Sequence, residues 1–568
     1  MRERYGSVLT KSIYDSFDRV GFRKALSAKF FAEALECRRL LSASADVLQY
    51  HESSTAGGLA SNETILTPAN VNASTFGKVW SVPLDGQEYA QPLYVSGVEI
   101  TANKVTTTHN VVYAATENDS VYAFDADTGA LLWHTSLLTS NFAVAPGAVI
   151  TPVPAADLGP ANIGPIMGIT CTPVIDLNLG AIFFDDFTKQ VVDGVNHYVW
   201  ELQSLNISNG QQRSGSGEVI ADTEFDGTNF TYVSGPTVNG TGDGSIDGKV
   251  TFNAVREQQR PGLTIVNGII YIGYASNADN GPYHGWVLGF NENTLAMTAA
   301  FCTTPNGSEG GIWQSGSPIA ADSHGNLYFM TGNGTFDETL NAQGFPIDGD
   351  YGMSMVKLSA DSTTSPSHQN MNGWGLKAVD YFTPFNQDAL NAGDYDLGSG
   401  GPLILPASAG SAAHPDLIVG SGKEGRIYLV DMNNMGKFNP ETDNVVQEVN
   451  SAINDSFGTP TFFNGQLYYV GAYGDVAKTF SISNGVISQT PTSESAQGYG
   501  YPGSTPVISS DQGANAIVWD IDVASSTLRA YVAGSYVDEI YNSAQAPDNR
   551  DLISGQAIKF TDAVVANG

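Results

Sequence analysis

The sequence predicts an all-β protein, a β-propeller of eight four-stranded antiparallel blades with the last blade truncated. Three observations predict it. Val111–Trp133 (VVYAATENDSVYAFDADTGALLW) reads as two alternating strands, an Asp-Ala-Asp-Thr-Gly turn and a third strand ending in Trp133. The pattern recurs in degraded form along the chain, and a unit this short buries its apolar face only by stacking on copies of itself. Composition agrees: 62 Gly, 25 Tyr and 26 Phe among 568 residues, with only 15% charged, suit many short strands and turns.

The blades can be laid out from strands that begin beside a proline. They start at Gln91-Pro92-Leu93, Thr172-Pro173-Val174, after Arg260-Pro261-Gly262, and at Ser317-Pro318-Ile319, Gly401-Pro402-Leu403, Thr459-Pro460-Thr461 and Thr505-Pro506-Val507. Proline fits a strand's first position because its missing N–H need not join the ladder. An eighth start, Asp562-Ala563-Val564-Val565, lacks the proline and is followed only by Ala566-Asn567-Gly568. Several starts lead through a turn into a Tyr- or Phe-rich strand: Asn267-Gly268 before IIYIGYAS, Gly325-Asn326 before LYFMTGNG, Asn464-Gly465 before QLYYVGAY. The early strand Gly77–Val82 has no inner strand before it. It is expected as the outer strand of the last blade, short of neighbours on one side, which would leave an exposed sheet edge.

Residues 1–75 are expected as a basic leader and flexible linker, and 76–568 as the propeller. The first 45 residues hold much of the basic charge (Arg2, Arg4, Lys11, Arg19, Arg23, Lys24, Lys29, Arg38, Arg39) without the apolar core of a standard secretory signal. The net charge of −33 repels phosphate backbones and anionic lipid, so nucleic acid is not an expected partner. No apolar run is long enough to span a bilayer. Three scattered cysteines, Cys37, Cys171 and Cys302, exclude a disulfide framework or a structural zinc site. No G-x-S-x-G, H-E-x-x-H or Walker A pattern is present, and the eight histidines are single, so each is expected at a turn or on the surface.

At Ala123-Phe-Asp125-Ala-Asp-Thr128-Gly129-Ala-Leu-Leu-Trp133 the chain resembles the bacterial PQQ-like (quinoprotein-type) propeller family. Its A-x-D-x-x-T-G-x-x-x-W docking motif packs a tryptophan between blades. Segments such as Asn280–Trp286, Thr303–Gly316, Tyr381–Gln387, Leu397–Gly401 and Gly422–Asp431 are similar to recurring pieces of that family. Leu35–Ala43 resembles the LEPRxLL segment of certain bacterial surface proteins, departing at Cys37, and implies export to the periplasm or cell surface. The family's quinone-dependent dehydrogenases use adjacent cysteines, a calcium ligand set and an Asp base. The cysteine pair is missing here and the other parts match no motif, so PQQ is not an expected cofactor.

Three polar groups remain as candidate sites. Asp243 and Asp247 in a Gly-rich loop, and Asp394 and Asp396 beside Leu397–Gly401, offer oxygen ligands suited to Ca²⁺, although ordinary Asp/Gly turns account for both. The third is a set from different blades: Tyr283, His284, Trp286, Trp313, Gln314, Lys423 and Glu424. Such positions can converge at one mouth of a propeller channel and bind a sugar or small polar ligand; the alternative is packing between blades and a salt bridge. The expected function is a non-catalytic binding or assembly scaffold for a protein or glycan partner. The alternatives are a quinoprotein-like oxidoreductase with an altered cofactor site and, behind it, a carbohydrate-active enzyme using channel carboxylates.

Overall fold

The structure is a computed structural model that describes residues 45–568 apart from Asn103 and Ser554. The chain divides into two compact units, Met1–Ala45 and Asp46–Gly568, and the fold described is that of the second. The Leu35–Ala43 segment lies outside the described residues.

Among the described residues, seven four-stranded antiparallel blades follow one another in chain order, against the eight expected, and the third and fourth are joined in one sheet through Met297–Cys302 and Gly373–Phe382. Blade 1 is Leu93–Ala102, Val105–Thr116, Ser120–Asp125 and Leu131–Ser136. Blade 2 is Val174–Asp176, Ala181–Val192, Val195–Asn206 and Glu218–Phe225, widened by Val149–Pro154 and Phe230–Ser234. Blade 3 is Thr264–Val266, Ile269–Ser276, Trp286–Asn291 and Met297–Cys302. Blade 4 is Ala320–Ala321, Leu327–Met330, Met355–Asp361 and Gly373–Phe382. Blade 5 is Leu403–Ile404, Leu417–Ser421, Ile427–Asp431 and Gln447–Val449. Blade 6 is Thr461–Phe463, Gln466–Val470, Asp475–Ser483 and Ser493–Tyr499. Blade 7 is Val507–Asp511, Ala514–Asp522, Thr527–Val532 and Glu539–Asn542.

Local chemistry sets these hairpins. A two-residue turn that matches strand twist needs positive φ at both central positions, which favours Asn or Asp followed by Gly. Asn267-Gly268, Asn464-Gly465 and Asp193-Gly194 all take that conformation. The last joins two twelve-residue strands in unbroken register from Val192↔Val195 to Ala181↔Asn206. Alternation then gives each blade two apolar faces, and neighbouring blades bury them against each other. Val111, Tyr113 and Trp133 of blade 1 share one cluster with Phe184 and Leu205 of blade 2. Leu417 and Leu429 of blade 5 share another with Leu467 and Phe480 of blade 6.

Two expectations about the ends are corrected. The stretch expected as a flexible linker is packed from Asp46 onward, with Val47, Tyr50 and His51 at 0–1% exposure. Backbone bonds tie it to the first strands of blades 1, 2, 4, 5 and 7: Val47 with Tyr94, Leu48 O from Ile175 N, Ser54 O from Ala321 N, Thr55 O from Ile404 N and Gly58 O from Ile508 N. Leu59–Ala60 adds a parallel strand inside blade 7. His51, expected at a turn or on the surface, lies in the single 3-10 turn Tyr50–Glu52 but is buried, with its ring nitrogens 2.8 Å from Ala56 O and 3.0 Å from Pro506 O.

The second correction concerns Gly77–Val82. It was expected as a strand of an incomplete last blade, and it lies in no strand, nor does Asp562–Val565. Lys78 N donates to Asp551 Oδ1 and Trp80 Nε1 to Ala126 O, while Val79 is 84% exposed. Between these segments, blade 7 and blade 1 is a cavity of about 580 Å³.

Candidate functional site

The docking unit is built as its motif implies. Asp125 Oδ1 accepts from Thr128 N and Thr128 Oγ1, Gly129 N donates to Asp125 O, and His109 Nδ1 lies 2.7 Å from Asp125 Oδ2. Ala123 is fully buried. Trp133 Nε1 crosses to blade 2 and donates to Ile207 O at 3.0 Å. These bonds close the turn and fix the tryptophan between blades.

The structure divides the set of seven candidates. Tyr283, His284 and Trp286 are buried at blade 3, and of the three Tyr283 reaches towards the others, its hydroxyl donating to Asp279 at 2.8 Å. Trp286 belongs to the apolar core. His284 Nδ1 meets Thr304 Oγ1 and its Nε2 meets Asp243 O, and desolvation holds its pKa below the usual value. Gln314 is used structurally, donating to Ser317 O and Pro318 O and accepting from Met330 N. Glu424 accepts from Asn386, Arg426 and Tyr428.

Trp313 and Lys423 do come together, and Asp394 and Asp396 join them around a cavity of about 260 Å³. Lys423 Nζ lies 2.7 Å from Asp396 Oδ2 and 3.0 Å from Asp394 Oδ1. Asp396 also accepts from Asn333 N. Its pKa is nevertheless raised, with burial outweighing the lysine. Tyr473 and Tyr501 stack at 5.5 Å on the same cavity, with Phe457 edge-on to both.

Sequence reasoning missed the rest of the lining, including two basic residues. Arg260 was read only as the residue before a strand-starting proline. It is 5% exposed, with its guanidinium 5.5 Å from the Trp313 ring and 5.1 Å from the Phe560 ring. Lys559 and Phe560 arrive from the C-terminal segment. Burial, helped by repulsion from Arg260, pushes the Lys559 amine down to about 8. No motif carries these positions. The only available signal was the rarity of a basic residue in so acidic a chain.

The other carboxylate pair stays apart from any such cluster: Asp247 is exposed, and Asp243 contributes only backbone bonds to Gly307 and His284. Among the described residues no three His, Cys, Asp or Glu side chains are grouped to hold a metal ion. Cys171 and Cys302 are each free and buried. No helix among the described residues is long and apolar enough to cross a membrane.

A ring of radially packed antiparallel blades, closed by tryptophans set against the turns of their neighbours, defines a β-propeller. Comparison with known proteins shows what it is similar to. The family model described as "Outer membrane protein assembly factor BamB", a PQQ-like repeat, matches residues 69–157, which contain the docking unit. Quinohemoprotein alcohol dehydrogenase ADHIIG from Pseudomonas putida is similar in structure, with a TM-score of 0.51, 13% identity and coverage of 88% of this chain and 73% of that one. A europium-containing methanol dehydrogenase gives 0.50, 11%, 88% and 85%. The quinohemoprotein alcohol dehydrogenase from Comamonas testosteroni gives 0.48, 14%, 89% and 74%. No curated protein matches the chain. Over residues 69–157 the chain is similar to the PQQ-like repeat, and its fold is similar to that of the quinoprotein dehydrogenase propellers.

Proposed function

We propose that this protein is an exported binding and assembly scaffold that docks a partner by accepting a pair of β-strands. The carrying observation is the cavity between blade 7 and blade 1. Its walls are apolar side chains of both blades, Ile521, Leu528 and Tyr541 on one side and Leu93, Tyr94 and Val112 on the other. Phe76–Lys78 and Thr561–Ala566 also line it, from segments that form no ladder. Backbone outside any ladder beside an apolar groove is a setting for strand addition, in which main-chain hydrogen bonds give affinity and alternate side chains fill pockets. Two buried acids add a polar preference. Both oxygens of Asp562 and Oε1 of Glu88 have no hydrogen-bond partner among the described residues, and burial raises both acids' pKa, so a strand offering hydrogen-bonding side chains complements them. Export rests on the LEPRxLL-like segment.

A synthetic β-hairpin of about 14 residues, alternating Val with Thr or Lys, tests the reading. Binding is expected to raise the melting temperature and to slow hydrogen exchange of amides 78–82 and 562–566. Unchanged exchange at saturating peptide refutes it.

A further inference from the structure

We infer that the cavity beside Trp313 binds a small hydroxylated carboxylate, a hexuronate-like sugar acid, in place of a flat quinone. The inference is independent of strand docking, because the two cavities share no residue the argument uses.

Shape argues first. A planar cofactor needs an open aromatic face. Here the Arg260 guanidinium lies over the Trp313 ring, with Phe560 also within cation–π distance. The residues present therefore do not fit PQQ at this ring, and the paired cysteines its dehydrogenases use are also missing.

Charge argues second. In a chain of net charge −33, Arg260 and Lys559 line one cavity without a salt-bridge partner among the described residues. Arg260 is 95% buried, yet its Nη1 has no hydrogen-bond partner. Leaving such a donor unmet is costly, and a carboxylate is the group whose two oxygens match a guanidinium edge. Lys423 differs, since Asp394 and Asp396 already neutralise it.

The remaining lining selects hydroxyls. The Asp394 side chain is 65% exposed and keeps acceptor capacity beyond Lys423, and Asn162 adds an amide. The stacked Tyr473–Tyr501 pair gives an apolar face for a sugar ring. The cavity, about 260 Å³, suits one monosaccharide.

The test titrates the full chain with glucuronate, glucose and acetate, read by tryptophan fluorescence and ligand-observed NMR. Glucuronate is expected to bind saturably, with glucose and acetate each at least about tenfold weaker. Lys559→Met should weaken glucuronate about tenfold while leaving the melting temperature unchanged. Arg260→Lys, which keeps the charge and loses the fork, should weaken it as well. Equal binding of glucose and glucuronate overturns the inference. So does the absence of saturable glucuronate binding, or full affinity in Lys559→Met. PQQ binding with displacement of glucuronate overturns it too, by restoring the quinone reading.

Discussion

The junction between blades 1 and 2 and the junction between blades 7 and 1 use the same lock on different amounts of structure. At the first, Trp133 Nε1 donates to Ile207 O, and its ring lies against Gly210, where an added Cβ would meet Cε3 at 2.5 Å. At the second, Trp80 Nε1 donates to Ala126 O, and its ring lies against Gly129, where a Cβ would meet Cδ2 at 2.8 Å. Both glycines have positive φ. Yet Trp133 sits on the last strand of a complete blade, while Trp80 sits on a segment with no ladder. The docking contact thus forms without a sheet behind it. It positions an edge segment, and ladder strands supply the rest of the packing.

The largest way to break this comparison is to remove each tryptophan. Trp133→Ala should cost roughly 3–5 kcal/mol, the range for a large buried aromatic. Trp80→Ala, at a half-buried ring, should cost about half as much. Denaturant unfolding of both variants checks this, and equal losses would mean that both junctions carry the same packing. Next come the seats. Gly210→Ala and Gly129→Ala each place a Cβ at positive φ and against an indole, for roughly 1–3 kcal/mol apiece. The second should also release Trp80, seen as a red shift of its fluorescence.

A smaller effect concerns pH. Burial raises Asp185 and Asp520 to about 7 and Glu88 and Glu257 to about 8. Asp119, with both oxygens unpartnered, is raised by burial and by Asp186, Glu117 and Glu201. For an acid whose folded pKa is raised, the folded state holds more protons between the unfolded value and the folded one. Its stabilisation is complete below about pH 4 and is lost as pH rises through the folded pKa. The melting temperature should therefore fall between pH 5 and pH 8, measurable by circular dichroism. A flat profile would mean that these acids are matched by bound cations. The smallest perturbation is isotopic: amides 78–82 should exchange fast and those of 131–136 slowly.

This contrast also marks what the sequence made legible. The docking unit was readable because all its chemistry is local: Asp125, Thr128 and Gly129 form one turn, and Trp133 follows at fixed spacing. Strand starts were readable for the same reason, through Pro and Asn-Gly. The site was half readable. Trp313, Lys423, Asp394 and Asp396 meet because neighbouring blades bring their loops to one place. Tyr283 stops one hydrogen bond short of that cavity, at Asp279, while His284 and Trp286 are buried at blade 3. No local pattern separates the two cases, because ring geometry decides which loops converge. Arg260 and Lys559 stand 299 positions apart in the chain, and only closure of the ring makes them neighbours.

The segment from Val47 to Ala60 has a consequence for biogenesis. It is among the first parts of the unit to be synthesised, and its partners include Ile508, far along the chain. Those bonds must wait until the seventh blade exists, so the centre of the ring is the last region to set. Contacts of such long sequence separation slow folding and leave the early segment exposed in the meantime. A nascent chain stalled before residue 505 would therefore carry five or six formed blades around an unoccupied axis, open to proteolysis at Tyr50 and His51.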